Sequence, residues 1–529
     1  MLNAYNITYI HPDRELLFED ISFSISKHDK VALIGNNGIG KSTLLQILAG
    51  GLKATSGNIV CTSKPFYIPQ HFGQFDELSI ANALQIETRL NALNEILDGK
   101  ISSDKLEILK DDWNLQERCQ EALSFWGLQN VLSKEKMASL SGGQKTKIFL
   151  AGIDIHQPDI ILMDEPTNHL DTKSRAFLYR YIQSTTKTLV VVSHDRKLLD
   201  LLNPVYELDK KGISTYGGNY SFYREQKEAE EHTLIHQLED KEKSLKLARK
   251  AERVSLERKQ RQDVRGKQKK EKEGVSRIAM KKLRNQAESS SAKLKNTHSE
   301  KIGSIAKEMR EARKKLPDMN KMKMNLDDTS LHKGKILVKV QGMNYSYSDQ
   351  WLWKKPMNFV ISSKERINIT GENGSGKSTL VKLIIGELDP KLGKVIRTDF
   401  KYVYIDQDYS LIRNDCTIYE QAQQYNDGAL QEHEIKIRLH RYLFDKEYWN
   451  KPCRILSGGE KMRLMLCCLM IRNHAPDIFV LDEPTNNLDI RNIEILTKAI
   501  NEYKGTVIVI SHDSYFLHEI MVNRSIEIS

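Results

Sequence analysis

Two stretches of this chain combine glycines, a lysine and a hydroxyl at the spacing that holds a phosphate. They are Gly35-Asn36-Asn37-Gly38-Ile39-Gly40-Lys41-Ser42-Thr43 and Gly371-Glu372-Asn373-Gly374-Ser375-Gly376-Lys377-Ser378-Thr379. Both read G-x-x-x-x-G-K-S, and the first lies between a buried-strand pattern, Val31 to Ile34, and a helical one, Leu44 to Leu48. The glycines let backbone N–H groups wrap phosphate oxygens, and the helix N-terminus adds its partial positive charge. Lys41 and Lys377 are placed to reach β and γ phosphates, while the Ser42 and Ser378 hydroxyls are placed to ligate Mg²⁺. ATP with Mg²⁺ is the ligand this chemistry calls for.

Carboxylates follow each loop. The apolar runs Ile160 to Met163 and Ile478 to Leu481 end in Asp164-Glu165 and Asp482-Glu483. Strands of that kind carry the aspartate to the metal, directly or through water. They leave the glutamate facing the γ phosphate, where it orients or deprotonates the attacking water. Thr188 to Val192 and Val507 to Ile510 end in Ser193-His194-Asp195 and Ser511-His512-Asp513, which adds His194 and His512 as catalytic candidates. Gln70 after Phe66-Tyr67-Ile68-Pro69, and Gln407 after Tyr404-Ile405-Asp406, stand where a polar side chain links metal and nucleotide to moving parts. Leu140-Ser141-Gly142-Gly143-Gln144 and Leu456-Ser457-Gly458-Gly459-Glu460 open helices whose N–H groups suit a γ phosphate. Taken singly, each has an ordinary structural explanation; a lone histidine is more often structural. The whole set, twice and in one order, does not. For adenine stacking the candidates are Tyr9 or His11 and Tyr345 or Tyr347, with plain core or surface aromatics an equal alternative.

The spacing between the copies locates an insertion. Ser141 and Ser457 are 316 residues apart, the glutamates and the histidines 318, but the loop lysines 336. Gln70 to Ser141 is 71 residues and Gln407 to Ser457 is 50, so the first copy carries about 21 more, expected in the polar, helical-looking stretch 84–116.

Between the copies the composition changes. Residues 241–320 hold 26 Lys+Arg and 11 Asp+Glu, a net +15 in a chain of net +10, so the remainder is acidic. Charge concentrated in this way points to a polyanion partner. From Phe222 to about Gln262 the segment lacks Pro and Gly and reads as one long helix. Gly266 and Gly274 interrupt that pattern; then Ile302, Ile305, Met309, Ala312 and Leu316 recur at 3, 4, 3, 4 spacing, a coiled-coil seam stopped by Pro317. The expectation is an antiparallel hairpin with its tip within 263–295, and Arg277, Met280, Lys281, Leu283 and Arg284 as candidate RNA or ribosome contacts. The apolar runs fall short of the roughly 18 residues of a membrane span, and no signal peptide leads the chain. Six cysteines, at 61, 119, 416, 453, 467 and 468, form no C-x-x-C pair, which suits reduced cytosolic thiols.

The motif set resembles the ATP-binding cassette (ABC) superfamily: Walker A, Q-loop, LSGGQ signature, Walker B and switch histidine. Glu165-Pro166-Thr167-Asn168-His169-Leu170-Asp171 resembles the EPTNHLD of the ABC-F proteins, which act on ribosomes. The second copy departs from it, with Asn487 where the family commonly has histidine, which leaves the equality of the two rates open. The resemblance implies an α/β fold of two tandem P-loop ABC ATPase domains, 1–220 and 335–529, joined by a long antiparallel α-helical hairpin, 221–334. It implies head-to-tail pairing, with Ser457, Gly458 and Gly459 completing the site of Lys41, and Ser141, Gly142 and Gly143 that of Lys377. Ser42, Gln70, Asp164, Ser378, Gln407 and Asp482 would serve Mg²⁺. It further implies a cytoplasmic, ribosome-associated ATP hydrolase, monomeric and without membrane subunits, whose linker meets rRNA and the P-site tRNA. The short insertion, long linker and absence of a tail beyond the 17 residues after His512 resemble the antibiotic-resistance, ribosome-protection branch. A housekeeping ABC-F translation factor is the close alternative. A transporter's ATPase subunit is the alternative from another class, against which the stiff linker and the EPTN motif speak.

Overall fold

The computed structural model describes residues 1–528 apart from 13, 15, 210–211, 273–292, 294–295, 314–330, 349, 373, 429, 473–474 and 487. Asn373, Asn487, Gly274, Leu316, Pro317 and the five tip candidates Arg277, Met280, Lys281, Leu283 and Arg284 therefore lie outside the described residues.

Two units make up the chain: Met1–Ser221 with Lys321–Ser529, and Phe222–Asn320. The first unit holds two cassettes of one plan. In the first cassette a six-stranded sheet runs in the order Phe66–Ile68, Ile160–Asp164, Thr188–Val192, Lys30–Ile34, Val205–Asp209, Gly212–Tyr216, and is parallel except for its last pair. The second repeats it with Tyr402–Ile405, Ile478–Asp482, Thr506–Ile510, Arg366–Thr370 and Arg524–Glu527, all parallel. Helices on the sheet faces bury these strands on both sides, so they read as unbroken apolar runs. Each cassette also has a three-stranded antiparallel sheet, Leu16–Ile25/Leu2–Ile10/Ser56–Cys61 and Met357–Ser362/Ile336–Asn344/Leu392–Arg397.

The core lies between these layers. Leu44 and Leu45, on the helix Lys41–Leu48 that follows the first phosphate loop, are fully buried against Val31, Leu162 and Val190. Burial of side chains of this size contributes about 1.5–3 kcal/mol each. Leu380, Leu383 and Ile384 do the same on Lys377–Ile385. Packing thus clamps both loop helices, whose N-termini are the business end. Between Gln70 and Ser141 the first cassette has helices Glu87–Leu97 and Ser103–Leu109, additional to the helices seen between Gln407 and Ser457 in the second, namely Ile418–Gln424 and Glu432–Arg441.

In the second unit one helix, Tyr220–Lys272, spans 53 residues, about 80 Å at 1.5 Å per residue. It passes through Gly266, which corrects the expected interruption there. A single glycine costs a helix only about 1 kcal/mol, and its neighbours Arg265, Lys267 and Gln268 are strong helix formers. Along this helix the shielded positions include Leu234, Leu238, Lys241, Leu245, Ala248 and Glu252, at alternating 3 and 4 spacing. On the helical stretch 296–313 the shielded positions include Ile302, Ile305, Met309 and Ala312, as the seam requires. Lys241–Glu308 at 3.0 Å and Arg313–Glu242 at 2.7 Å tie the two helices beside that seam.

Candidate nucleotide sites

The four motif-bearing parallel strands of each sheet deliver their motifs to one edge, the carboxyl ends, where open α/β sheets bind ligands. Lys30–Ile34 leads into the phosphate loop, Ile160–Asp164 into Glu165, Thr188–Val192 into His194 and Phe66–Ile68 into Gln70. Asp164 pairs in register with Val192, which sets the aspartate, glutamate and histidine side by side. Asp482 pairs with Ile510 in the same way.

Each loop curls around its own lysine. Lys41 Nζ donates to the carbonyls of Gly35 and Asn36 at 2.8 and 3.1 Å, and Lys377 Nζ to those of Gly371 and Glu372 at 2.9 and 3.2 Å. Burial holds both ammonium groups below their usual pKa, opposed in each case by the neighbouring glutamate. Gly376 caps its helix at φ +90°, and a Cβ there would lie 2.5 Å from Leu352 Cδ2. Gly376→Ala is accordingly expected to cost about 1–3 kcal/mol in backbone strain and to reduce ATP-analogue binding from two sites to one. Calorimetric stoichiometry checks this, and retention of both sites would contradict it.

Ser378 Oγ donates to Asp482 Oδ2 at 2.8 Å, joining the two groups expected on Mg²⁺; Ser42 hydrogen-bonds Asp164 likewise. Glu165 and Glu483 follow in the left-handed region, at φ 50° and 47°, with their N–H groups anchored on Val192 O and Ile510 O at 2.8 Å each. His194 Nε2 lies 3.2 Å from Glu165 Oε1, and His512 Nε2 3.4 Å from Glu483 Oε1. Burial dominates the electrostatics. It pushes Glu165 up to about 8, helped by Asp164, and Glu483 up to about 7, opposed by Arg175. It drives His194 well below its ordinary value and His512 down to about 4. Both imidazoles are therefore neutral near pH 7. Among the described residues Asp164 Oδ1 is buried without a hydrogen-bond partner, and Glu165 Oε1 is buried with only the His194 imidazole beside it. Buried carboxylate oxygens of that kind suit a hard cation and its water, so the residues fit Mg²⁺ and a triphosphate.

Two contacts escaped the sequence reading. The Tyr67 hydroxyl donates to Asp164 Oδ2 at 3.3 Å, and the Tyr404 hydroxyl to Asp482 Oδ2 at 2.9 Å. Tyr67 and Tyr404 are 337 residues apart, as are Gln70 and Gln407, so the internal repeat carried the signal. Gln70 is half-buried and Gln407 exposed, each two residues past its strand. Of the adenine candidates, Tyr347 places its hydroxyl 2.9 Å from Thr379 Oγ1 on the loop helix, while Tyr9 and His11 pack edge to face at 5.4 Å.

The signature serines are helix N-caps. Ser141 caps Gly142–His156 and Ser457 caps Gly458–Ile471, each closed into a capping box by the residue three further on, Gln144 or Glu460. That explains why Gln and Glu exchange between the copies, since either accepts from the cap's backbone N–H. Among the described residues, contacts across the cassette pair run not through these serines but through the turns after the two Asp-Glu pairs. Asn37 N–H donates to Asp489 Oδ2 at 3.1 Å, Thr172 Oγ1 meets His512 Nδ1 at 2.9 Å, and Lys173 pairs with Glu372 at 2.6 Å. Buried Arg196 adds an ion pair to Glu519 at 2.6 Å.

Fold and site together define a duplicated ATP-binding cassette protein, its two cassettes paired motif to motif. The family model described as "ABC transporter" matches residues 18–168 and 354–486. ABC transporter F family members 5 and 2 of Arabidopsis thaliana are 30% and 31% identical over 97% of this chain, which spans 72% and 74% of their lengths. The chain belongs to the ABC transporter family, among relatives of its F group. A solved structure of an archaeal ribosome recycling factor, aABCE1, in complex with the ribosomal stalk protein aP1, has the same fold. Its TM-score is 0.60 at 18% identity, over 99% of this chain and 87% of that one. No helix among the described residues is long and apolar enough to cross a membrane.

Proposed function

We propose that this protein is an ATP hydrolase acting on the ribosome, and that it confers resistance to ribosome-targeting antibiotics. ATP held between the cassettes closes the pair, and hydrolysis lets it open. Lys41 and Lys377 hold phosphates, Asp164, Asp482, Ser42 and Ser378 serve Mg²⁺, and Glu165 and Glu483 act on the attacking water. Ser457 and Gly459 complete the site of Lys41 from the opposite cassette, and Ser141 and Gly143 that of Lys377. The cycle places the basic two-helix unit against rRNA and the P-site tRNA and then withdraws it.

The observation that carries this reading is the segment 241–320, with its net charge of +15, built on a 53-residue helix with a seam. Like charges along a helix cost stability, so this charge serves a partner. A stiff basic rod suits phosphate backbone, which is bound without reading sequence. The archaeal recycling factor of the same fold, solved with a ribosomal stalk protein, points the same way. The test is a sucrose gradient with a non-hydrolysable ATP analogue. The chain should comigrate with ribosomal particles, and its expression should raise drug tolerance; comigration with membranes instead would favour a transporter subunit.

A further inference from the structure

The cross-cassette turns of the two copies differ at the residue that follows the capping aspartate. Thr172 and Ile490 occupy the same place in the two copies, each directly after the aspartate that caps its helix, Asp171 or Asp489. Thr172 Oγ1 is 2.9 Å from His512 Nδ1. The counterpart atom of the other site, His194 Nδ1, is buried and has no hydrogen-bond partner among the described residues. Isoleucine at 490 has no polar atom to offer. We infer that Thr172 is a positioning residue acting across the cassette pair on the second ATP site, where it orients the imidazole of His512, and that Ile490, without a hydroxyl, offers the first site no such contact. The inference rests on the reading that both sites hydrolyse ATP.

Chemistry gives the contact its meaning. A neutral imidazole has one donor and one acceptor nitrogen, and the partner of one decides the role of the other. The carboxylate oxygen beside Nε2, Glu483 Oε1 at 3.4 Å, favours the ring proton on that nitrogen, which leaves Nδ1 to accept from the Thr172 hydroxyl. His512 thereby presents N–H on the side where a γ phosphate and its attacking water meet the glutamate. The helix N-terminus bearing Thr172 is itself held in register: Asp171 accepts from Ser174 N–H at 2.8 Å, and Lys173 pairs with Glu372 of the second phosphate loop at 2.6 Å. In the reverse direction the pair is held by Asp489 on Asn37 N–H, a contact to the loop and not to the histidine. Opening the pair would therefore release His512 from Thr172, which ties turnover at the second site to closure.

The test uses the full chain with one site silenced. In Glu165→Gln protein, where turnover reports the second site, Thr172→Val should lower kcat roughly ten- to hundredfold, as loss of a partner that orients a catalytic imidazole does. KM for ATP should stay within about twofold of the parent, because ATP is held by the loop. Thr172→Ser, which keeps the hydroxyl, should retain the parent rate. In Glu483→Gln protein, where turnover reports the first site, Ile490→Thr should raise kcat. The unsubstituted chain provides a further measure, since Thr172→Val should slow its steady-state rate and Thr172→Ser should not. An unchanged kcat in Thr172→Val would overturn the inference. An equal loss in the Glu483→Gln background, or equal losses for serine and valine, would do the same by showing damage to the pair as a whole. Lack of any hydrolysis by the unsubstituted chain would instead remove the ATPase reading, and this inference with it.

Discussion

A chain carrying both Glu165→Gln and Glu483→Gln is expected to bind ATP as the parent does and to hydrolyse it about 10²- to 10⁴-fold more slowly. Each glutamate is presented by a backbone held in the left-handed region, at φ 50° and 47°, and pinned by its N–H to the adjacent strand. Strain of this kind costs about 1–3 kcal/mol and persists at functional sites because the surroundings enforce it. Glutamine has the same length and still donates and accepts, so the turn and the contact with the histidine should survive. What disappears is the group that accepts a proton from water. Burial already holds these carboxyls well above their ordinary pKa. The neutral amide therefore removes a desolvation cost, and folding should not suffer. With ATP retained the pair stays closed, so the double variant should accumulate on ribosomes and slow growth when expressed. The checks are phosphate release at saturating ATP and the bound fraction in a gradient. Turnover near the parent rate would exclude these carboxylates from the chemistry.

The placement of one cassette's motifs was legible because each motif is local. A phosphate loop needs only nine consecutive residues between a strand and a helix, and Lys41 and Lys377 sit where their sequence context puts them. Tyr67 and Tyr404 were legible in principle, through the equal spacing of the copies, but a tyrosine in a strand ordinarily reads as core. Contacts between the cassettes were not legible. Thr172 and His512 are 340 residues apart, and the corresponding pair in the other direction replaces threonine by isoleucine, so the internal repeat gives no signal for it. The course of the long helix through Gly266 was misjudged for a different reason. One glycine is a weak local penalty, and the strong helix formers on either side of it outweigh that penalty.

Binding of the chain to ribosomes should weaken steeply with salt. A protein that contacts six to ten phosphates loses about 10³- to 10⁵-fold in affinity between about 50 and 200 mM salt. The shaft contributes diffusely to that slope. Lys246 and Lys250 are exposed and stand off the seam, whereas Lys241 and Arg313 are engaged with Glu308 and Glu242 of the opposing helix. Changing Lys246 and Lys250 to alanine should therefore leave the two-helix unit intact, lower affinity, and make the salt slope shallower by about 0.9 for each lost phosphate contact. Loss of Lys241 or Arg313 should cost the two-helix unit at most about 1 kcal/mol, because Glu308 and Glu242 are solvent-exposed and stay hydrated. Replacing 276–288 with a Gly/Ser loop separates affinity from effect, because it removes Arg277, Met280, Lys281, Leu283 and Arg284 together and leaves Tyr220–Lys272 and the helical stretch 296–313 unchanged. That chain should still bind ribosomes and hydrolyse ATP, with a reduced salt slope, but should no longer protect cells from the drugs the parent resists. Full protection by the loop-replaced chain would place the function on the shaft alone. A salt slope near zero for the parent would mean that the basic segment meets no nucleic acid, whatever else the chain binds.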